Sequence, residues 1–377
     1  MGSLIFNLFS IIIFDFSTKI INCFKKTSPN DISICMVGDL LMHKPILDYA
    51  KSEMKDNKYN FDFIFENMQK YLKEYDIKII NEEVLISGTN YNISGFPRFN
   101  SPIELSDSVI KAGFNVILKA TNHVNDKNEE ARLVDLNNWE RFPDVKIIGS
   151  YKNETEAERI TYFDIKGVKI ALLNYCYGSN RIIKKAYIMN KLKYDKLKRD
   201  IEKSRKEGAD LILLLPHWGK EYSLRTNKYQ KKWTQIFFEL GVDIVIGTHP
   251  HVIQPVEIIE DKEKNRKMYI FYSLGNFINY TKSVARGVFN RFLGGMAHII
   301  IGKENNKVII KEVKFIPLIT HIYPENKKIT TFKVKDYNLN LADSNYVRVE
   351  KDRTFSYENM IETFKNVVDK KFLDFNL

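Results

Sequence analysis

The chain alternates between short runs of aliphatic and β-branched residues and longer segments in which apolar positions recur at helical spacing. Several of the short runs are apolar at consecutive positions, which is typical of strands buried on both faces. The runs that predict strands lie at 32–38, 76–80, 114–120, 168–175, 209–216, 242–247 and 268–273. Because these runs alternate with helical patterns, the sequence predicts an α/β layered domain over residues 31–300.

Two of the intervening segments show clear helical patterns. The segment 191–207 reads as a charged helix with a narrow apolar stripe, which favours a solvent-facing position. In the segment 227–240, Gly241 follows as a helix-terminating residue. The apolar residues that fall on one face of this second helix are Trp233, Ile236, Phe237 and Leu240.

Residues 301–377 are expected to form a small C-terminal β and helix extension. The segment 306–319 suggests a β pair, and 356–371 suggests a terminal helix. The residues that this helix would turn inward are Met360, Ile361, Phe364, Val367 and Val368.

The first 30 residues contain an apolar segment, 4–26, which Asn7, Asp15 and Lys19 interrupt. Because of these interruptions, the segment lacks the roughly 20 uninterrupted apolar residues that a membrane-spanning helix needs. No basic region precedes it, so it does not resemble a secretory signal. A helix on a membrane surface and a helix packed on the domain both fit this pattern. We therefore expect a cytoplasmic protein or one that is peripheral at the membrane.

Composition adds little to this picture. The 377 residues carry a formal net charge of +11, from 58 Lys+Arg against 47 Asp+Glu. This balance suits an anionic substrate, nucleic acid or an anionic membrane, and equally a solvated lysine-rich surface. The three cysteines, Cys23, Cys35 and Cys176, form no CxxC motif, which favours a reducing compartment over a disulfide framework. The sequence also lacks a GxxxxGK[ST] phosphate loop and a GxSxG nucleophile elbow.

Residues that can bind a metal or move a proton follow nearly every predicted strand. They are Asp39, Asn81, Glu83, Asn122, His123, His217, His249, His251 and Asn276. Ligands of α/β sheets bind outside the carboxyl ends of the strands, so we expect these side chains to share one sheet edge. His43 also follows the first strand, whereas His298 and His321 lie in the later β region and are expected to be structural.

The residue types indicate which metals would fit. Imidazole, carboxylate and carboxamide donors suit Zn, Mn or Fe. His249 and His251 are two residues apart, so an extended segment would project both in the same direction. Glu83 could bridge two metals about 3.5–4 Å apart, as in two-metal hydrolytic sites. Each residue alone has a structural interpretation, such as a helix cap for Asp39 or a turn for Asn276. Their common position favours a metal site.

The same residues carry a family resemblance over residues 32–280. The motifs, in chain order, are VGDLLMH, NEE, FPRFNSP, KATNHVND, NYCYGSN, PHWGKEY, GTHPHVIQPVE and YSLGNF. Together they resemble those of the bacterial poly-γ-glutamate capsule-synthesis (CapA-like) family, which is related to the calcineurin-like metallophosphoesterases.

The resemblance implies a four-layer α/β/β/α sandwich of the metallophosphoesterase type. It also implies one or two divalent transition metals, Mn, Zn or Fe, as cofactors. The implied metal positions are Asp39, Glu83, Asn122, His217, His249 and His251. By similarity, His123 is the catalytic histidine that faces the reacting group. The superfamily's first motif has a histidine where this chain has Leu41, so His43 is an additional metal candidate.

These features predict a metal-dependent, phosphoesterase-like hydrolase linked to the synthesis of poly-γ-glutamate, capsule or another cell-surface polymer. Its substrate would be an anionic polymer or a phosphoester. Two alternatives stay open: a non-catalytic accessory subunit of a membrane-bound polymer synthase, and a nucleic-acid phosphodiesterase with salt-dependent binding. The basic residues are not interleaved with aromatic ones, so nucleic acid is the less favoured partner. The residues expected to contact substrate or support the ligands are Asn81, Trp218, Glu221, Tyr222 and Asn276.

Overall fold

A computed structural model describes residues 28–54, 58–305 and 307–376 of the chain. The apolar segment expected at the N-terminus therefore lies outside the described residues. The strands are β1 Ile32–Leu40, β2 Ile77–Glu82, β3 Val116–Leu118, β4 Lys146–Ile148, β5 Thr161–Ile165, β6 Val168–Cys176, β7 Leu211–His217, β8 Ile244–Ile246, β9 Val256–Asp261, β10 Arg266–Phe271, β11 Asn276–Ile278, β12 Leu293–Glu304, β13 Lys307–Ile322 and β14 Ile329–Lys333.

Helices connect most of these strands. They are α1 Lys44–Ser52, α2 Asp62–Phe65, α3 Gln69–Leu72, α4 Glu104–Ala112, α5 Glu129–Trp139, α6 Glu154–Ala157, α7 Tyr194–Lys206, α8 Lys228–Leu240, α9 Leu339–Ser344, α10 Tyr346–Glu350 and α11 Tyr357–Val367. Of the helices that the structure describes, none combines the length and apolar character that crossing a bilayer requires.

Within the described ranges, the strands form two sheets. One has eight strands in the order β14-β13-β12-β1-β2-β3-β4, with β11 also paired to β1. The other has six strands in the order β5-β6-β7-β8-β10-β9. The centre of each sheet is parallel, as in the pairs β1–β2 and β6–β7, and antiparallel strands extend the edges. Each of the seven predicted apolar runs overlaps one strand of these sheets.

The two sheets pack face to face, and helices cover their outer faces. Alternate residues of β6 show this, because Val168, Ile170 and Leu172 join the large core that contains β1 and β2. Ala171 and Leu173, which point the opposite way, join a second core formed with α7 and α8. Side chains of α1 and α4 complete the large core from the side of the eight-stranded sheet. The predicted α/β/β/α order of layers is therefore confirmed.

The helix predicted at 227–240 forms as α8, and its ends show why. The Asn227 side chain accepts a hydrogen bond from the Gln230 backbone N–H, and the Asn227 backbone N–H donates one to Oε1 of Gln230. This capping box satisfies backbone groups that the first turn would otherwise leave without partners. Gly241 ends the helix at a φ of 99°, a left-handed conformation that glycine adopts without steric cost. Trp233 and Phe237 are buried, as the spacing predicts.

The C-terminal residues extend the eight-stranded sheet. The expected β pair at 306–319 is wrong: from Lys307 to Ile322 the chain forms one strand, β13, because no turn interrupts its apolar pattern. This strand pairs with β12 on one side and β14 on the other. Strand β12 runs through residues 300 and 301, where we expected the C-terminal extension to begin. The terminal helix forms as α11 and buries Met360 and Phe364.

Candidate metal centre

The polar residues that follow the predicted strands meet where the carboxyl ends of the two sheets come together. Asp39, near the end of β1, is paired in register with both Asn81 of β2 and Asn276 of β11. His217 ends β7 in the other sheet and bridges to Thr248, which follows β8. The site therefore lies between two sheets and not along the single edge that the strand pattern suggested.

A close backbone contact allows this meeting. A Cβ atom at Gly38 would lie 1.8 Å from the carbonyl oxygen of Gly275, so only glycine fits beside that carbonyl. The neighbouring Asp39 backbone N–H donates to the same Gly275 oxygen at 3.0 Å. The contact places Asp39 at the start of β11, next to the histidines of the second sheet.

Glu83 lies at the centre of the cluster. Its Oε1 is 3.4 Å from Nε2 of His217 and 3.7 Å from Nε2 of His251. Ligand atoms of Glu83, His249 and His251 lie within 4.8 Å of one another, and so do those of Asp39, Glu83 and His217. Glu83 belongs to both groups, which is the position of a carboxylate shared between two neighbouring ligand sets.

Asp39 is held by three groups. Its Oδ1 accepts a hydrogen bond from Asn81 Nδ2 at 2.8 Å, and its Oδ2 lies 3.0 Å from Nδ1 of His251. The backbone N–H of His249 donates to the same Oδ2 at 3.3 Å. Burial and the charge of Glu83 raise the pKa of Asp39, although His251 opposes this effect.

The side chains of His217 and Asn122 are in direct contact. Nε2 of His217 lies 2.7 Å from Oδ1 of Asn122, while its Nδ1 lies 3.0 Å from the hydroxyl of Thr248. A partner at Nδ1 sets the ring orientation and leaves Nε2 for a ligand-binding role. Thr248 is not among the site residues that the sequence predicts, although it directly precedes His249 in the GTHPH motif.

The extended presentation expected for His249 and His251 is wrong. Their φ values are 97° and 58°, in the left-handed region. For residues with a side chain, such backbone strain costs about 1–3 kcal/mol each and is concentrated at functional sites. The rings nevertheless converge, with centroids 5.6 Å apart. The turn also brings the His249 N–H to Asp39, which an extended segment would not explain.

Several buried atoms of the cluster lack hydrogen bonds to the described residues. They are both carboxylate oxygens of Glu83, Nδ1 of His249 and Oδ1 of Asn81. Leaving a buried polar group without a partner costs about 1–3 kcal/mol, and more if it is charged. A divalent cation would satisfy these atoms, and the nitrogen and oxygen donors suit Zn, Mn or Fe. The residues present therefore fit a metal.

Burial and neighbouring charges affect the protonation of Glu83, His249 and His251 in different directions. Burial alone would raise the pKa of Glu83, but His251 and His217 outweigh burial and hold it below its usual range. Burial alone would lower the pKa of His251, but Glu83 and Asp39 raise it to about 9. Burial and neighbouring histidines keep the pKa of His249 well below its ordinary value. His249 is therefore neutral, the form that binds metals.

His123 lies beside the cluster in a different environment. Its Nδ1 is 2.7 Å from Oδ2 of Asp126, which also accepts the backbone N–H of Phe99 at 2.7 Å. Its Nε2 lies 3.4 Å from Nδ2 of Asn180. The carboxylate orients the ring, so Nε2 is the atom available for proton transfer. Asp126 is not among the site residues that the sequence predicts, although it lies three positions after His123, in NHVND.

A cavity of about 940 Å³ adjoins the cluster. His123, His251 and Asn276 are among its lining residues. His43 also lines it, but among the described residues the close groups of ligand atoms do not include His43. Burial lowers the pKa of His43 to about 4, and its ring packs against Phe99 with centroids 5.3 Å apart. His43 is therefore part of the cavity wall.

The remaining predicted residues divide into two groups. Glu221 and Tyr222 line the cavity, as substrate contact requires. Trp218, for which we expected either substrate contact or support of the ligands, does not line the cavity. Its indole is fully buried, donates to the Tyr272 carbonyl oxygen at 3.1 Å and packs on Phe237 of α8. Burying a large aromatic ring between sheet and helix stabilises the fold more than leaving it beside an open cavity.

Comparison with known proteins identifies the family. The model of the family described as bacterial capsule synthesis protein PGA_cap matches residues 33–281, well over half of the chain. The chain belongs to this family. The match covers β1 to β11 and every ligand candidate of the cluster, so the motif resemblance is confirmed.

Two curated proteins of the family's type are similar to the chain. The capsule biosynthesis protein CapA of Bacillus anthracis is 28% identical over 260 residues, which cover 66% of this chain and 59% of that protein. The PGA biosynthesis protein CapA of Bacillus subtilis (strain 168) is 26% identical over 272 residues, which cover 67% of this chain and 65% of that protein. The chain thus matches less than two thirds of the length of either relative.

Solved structures show a more distant likeness. The NAD nucleotidase (NadN) of Haemophilus influenzae aligns with a TM-score of 0.44 and 9% identity, covering 91% of this chain and 57% of that chain. The calcineurin-like phosphoesterase YfkN of Bacillus subtilis aligns with a TM-score of 0.41 and 13% identity, covering 89% of this chain and 96% of that chain.

Proposed function

We propose that this chain is a metal-dependent hydrolase of the phosphoesterase type that serves the synthesis of a capsule or another cell-surface polymer. The observation that carries the proposal is Glu83, a buried carboxylate between two sets of histidine and carboxylate donors, with neither oxygen hydrogen-bonded to a described residue. The oxygens of a purely structural buried carboxylate would accept hydrogen bonds. The link to a surface polymer comes from the family, whose members are capsule synthesis proteins.

The proposed metal ligands are the residues that converge on Glu83. They are Asp39, Glu83, Asn122, His217, His249 and His251. A bound divalent cation would supply Lewis-acid chemistry, polarising a substrate oxygen and easing the deprotonation of water. Asn81 Nδ2 donates a hydrogen bond to the Asp39 carboxylate, and Oδ1 of Asn276 lies 3.2 Å from Nδ1 of His251. These contacts hold the ligands in place before a cation binds.

His123 is the proposed proton donor to the leaving group. It lines the cavity, and Asp126 holds its Nδ1, which leaves Nε2 free to give a proton to the departing oxygen. The arrangement favours an ester of an anionic acid, because Lys282 and Arg291 lie along the cavity.

Metal analysis and kinetics of the purified chain test the proposal. We expect at least one transition metal per chain and hydrolysis of p-nitrophenyl phosphate or its diester. The substitutions Glu83→Ala and His249→Ala should each remove most of the bound metal and most of the hydrolytic activity. His298→Gln is the matched control, because His298 contacts Tyr75 in the sheet. A chain without metal, or full activity in His249→Ala, would contradict the proposal. A metal-loaded chain that hydrolyses no ester would instead favour the accessory role in a polymer synthase.

A further inference from the structure

Arg291 lies in the cavity wall, just before β12, and is held by contacts other than ion pairs. Its guanidinium carbon is 3.7 Å from the centre of the Tyr222 ring. Its Nη1 donates to the hydroxyls of Thr281 and Ser283, each at 3.3 Å. Stacking on an aromatic face and two weak hydroxyl contacts orient a guanidinium without neutralising its charge.

The charge of Arg291 has no carboxylate within ion-pair distance among the residues that the structure describes. Lys44, in the same cavity, contrasts with it, because its Nζ lies 2.6 Å from the carboxylate of Asp48. The hydrogen bonds of the Arg291 side chain to described residues use Nη1 alone. Since a guanidinium carries five N–H donors in a planar fork, its remaining donors can bind an oxyanion in a bidentate manner.

The backbone of Arg291 is tied to the metal centre. Its carbonyl oxygen accepts hydrogen bonds from Asn276 Nδ2 at 2.8 Å and from Asn279 Nδ2 at 3.3 Å. Oδ1 of Asn276 in turn lies 3.2 Å from Nδ1 of His251. The Tyr222 ring also lies near His251, with ring centroids 6.0 Å apart. These contacts fix the position of the guanidinium relative to the proposed metal ligands.

We propose that Arg291, stacked on Tyr222, binds a second anionic group of the substrate, a carboxylate or a phosphate that is not the group being cleaved. The inference rests on the proposed function, in which the cluster around Glu83 holds the reacting ester. It adds that the enzyme prefers substrates with two separate anionic groups.

A matched pair of substrates tests this with the metal-loaded full chain. Glycerol 3-phosphate and 3-phosphoglycerate are similar monoesters, but only the second carries a carboxylate. We expect kcat/KM to favour 3-phosphoglycerate, and Arg291→Gln to reduce that preference by about 10- to 100-fold, the usual range for a charged hydrogen bond. The loss should appear in KM, and Arg291→Lys should restore part of it. Arg286→Gln, at an exposed arginine outside the cavity lining, should leave the preference unchanged.

Direct binding separates this inference from the proposed function. By calorimetry, glutarate and inorganic phosphate are titrated into the native chain and into Arg291→Gln, each with metal and after chelation. Glutarate binding that survives chelation but is weakened at least 10-fold in Arg291→Gln supports the subsite, even if no ester is hydrolysed. If Arg291→Gln weakens the binding of phosphate but not that of glutarate, the second anionic group is a phosphate. Equal binding of both probes by both proteins, or an unchanged substrate preference in Arg291→Gln, would overturn the inference.

Discussion

Oε1 of Glu83 lies 3.4 Å from Nε2 of His217, yet neither oxygen of this carboxylate accepts a hydrogen bond from the part of the chain that the structure describes. Both side chains are fully buried. Burial disfavours the charge of this carboxylate, and His251 and His217 are the described groups that chiefly offset this effect. A cation held between Glu83 and the histidines would also stabilise the charge, which makes metal binding and stability interdependent.

We therefore expect metal to stabilise the native chain and to stabilise Glu83→Ala much less. A ligand present at 100 times its Kd adds about 2.7 kcal/mol to the free energy of unfolding. Denaturant unfolding with excess Mn²⁺ or Zn²⁺, compared with unfolding after chelation, measures this gain. Glu263→Ala changes an exposed acid in a surface turn and should keep the full gain. An equal gain in Glu83→Ala would show that the metal binds elsewhere.

Asp126→Asn should lower kcat by about 10- to 100-fold while the metal content stays that of the native chain. Asp126 holds Nδ1 of His123 at 2.7 Å, and the amide would no longer stabilise the protonated ring that gives up its proton. Steady-state kinetics and elemental analysis of the same preparation check both parts. Loss of metal together with activity would mean that Asp126 supports the ligands and not the proton donor.

Lys119→Met should destabilise the fold by about 3–5 kcal/mol, because it leaves buried charges without their partner. The Lys119 Nζ lies 2.6 Å from Glu82 Oε1 and 2.6 Å from Asp135 Oδ2, and all three side chains are buried. Chemical denaturation measures the change. The control Lys231→Met removes a surface pair with Glu257 and should cost less than about 1 kcal/mol. Similar losses in the two variants would contradict this account.

His321 should make the fold sensitive to acid. Burial lowers the pKa of His321 to about 4, from 6.5 in an unfolded chain. Between these values the unfolded chain binds a proton that the native chain does not. His321 therefore contributes stability that is complete above pH 6.5 and is lost as the pH falls to about 4, at up to about 1.4 kcal/mol per pH unit.

Unfolding of the chelated native chain and of chelated His321→Gln at several pH values tests this expectation. Chelation removes the effect of acid on metal binding, so the difference in slope reports His321. The native chain should lose stability more steeply than the variant between pH 6.5 and 4. Parallel pH profiles would show that the histidine is protonated in the folded state.

The elements of the fold could largely be predicted from local patterns. Consecutive apolar residues marked the buried strands, such as β7, and apolar spacing with a terminal glycine marked α8. Strand β12 was not predicted, because Gly294 and Gly295 near its start weaken the local strand pattern. The strand forms nevertheless, because it pairs with β13. The side chain of Phe315 lies where a Cβ of Gly295 would be, so this glycine is required by packing across the sheet.

For the site, residue types and positions after strands were enough to select the residues that converge on Glu83, because the carboxyl ends of parallel strands bind ligands in α/β proteins. The sequence by itself determined which residues could bind a cation and which faces of strands and helices are apolar. Only the tertiary structure decided that the ligands come from two sheets, that Trp218 is buried in the core, and that Arg291 lies in the wall beside Tyr222. The physical reason is that side-chain periodicity shows which surface must be covered, but the covering partner is selected by packing between segments far apart in the chain.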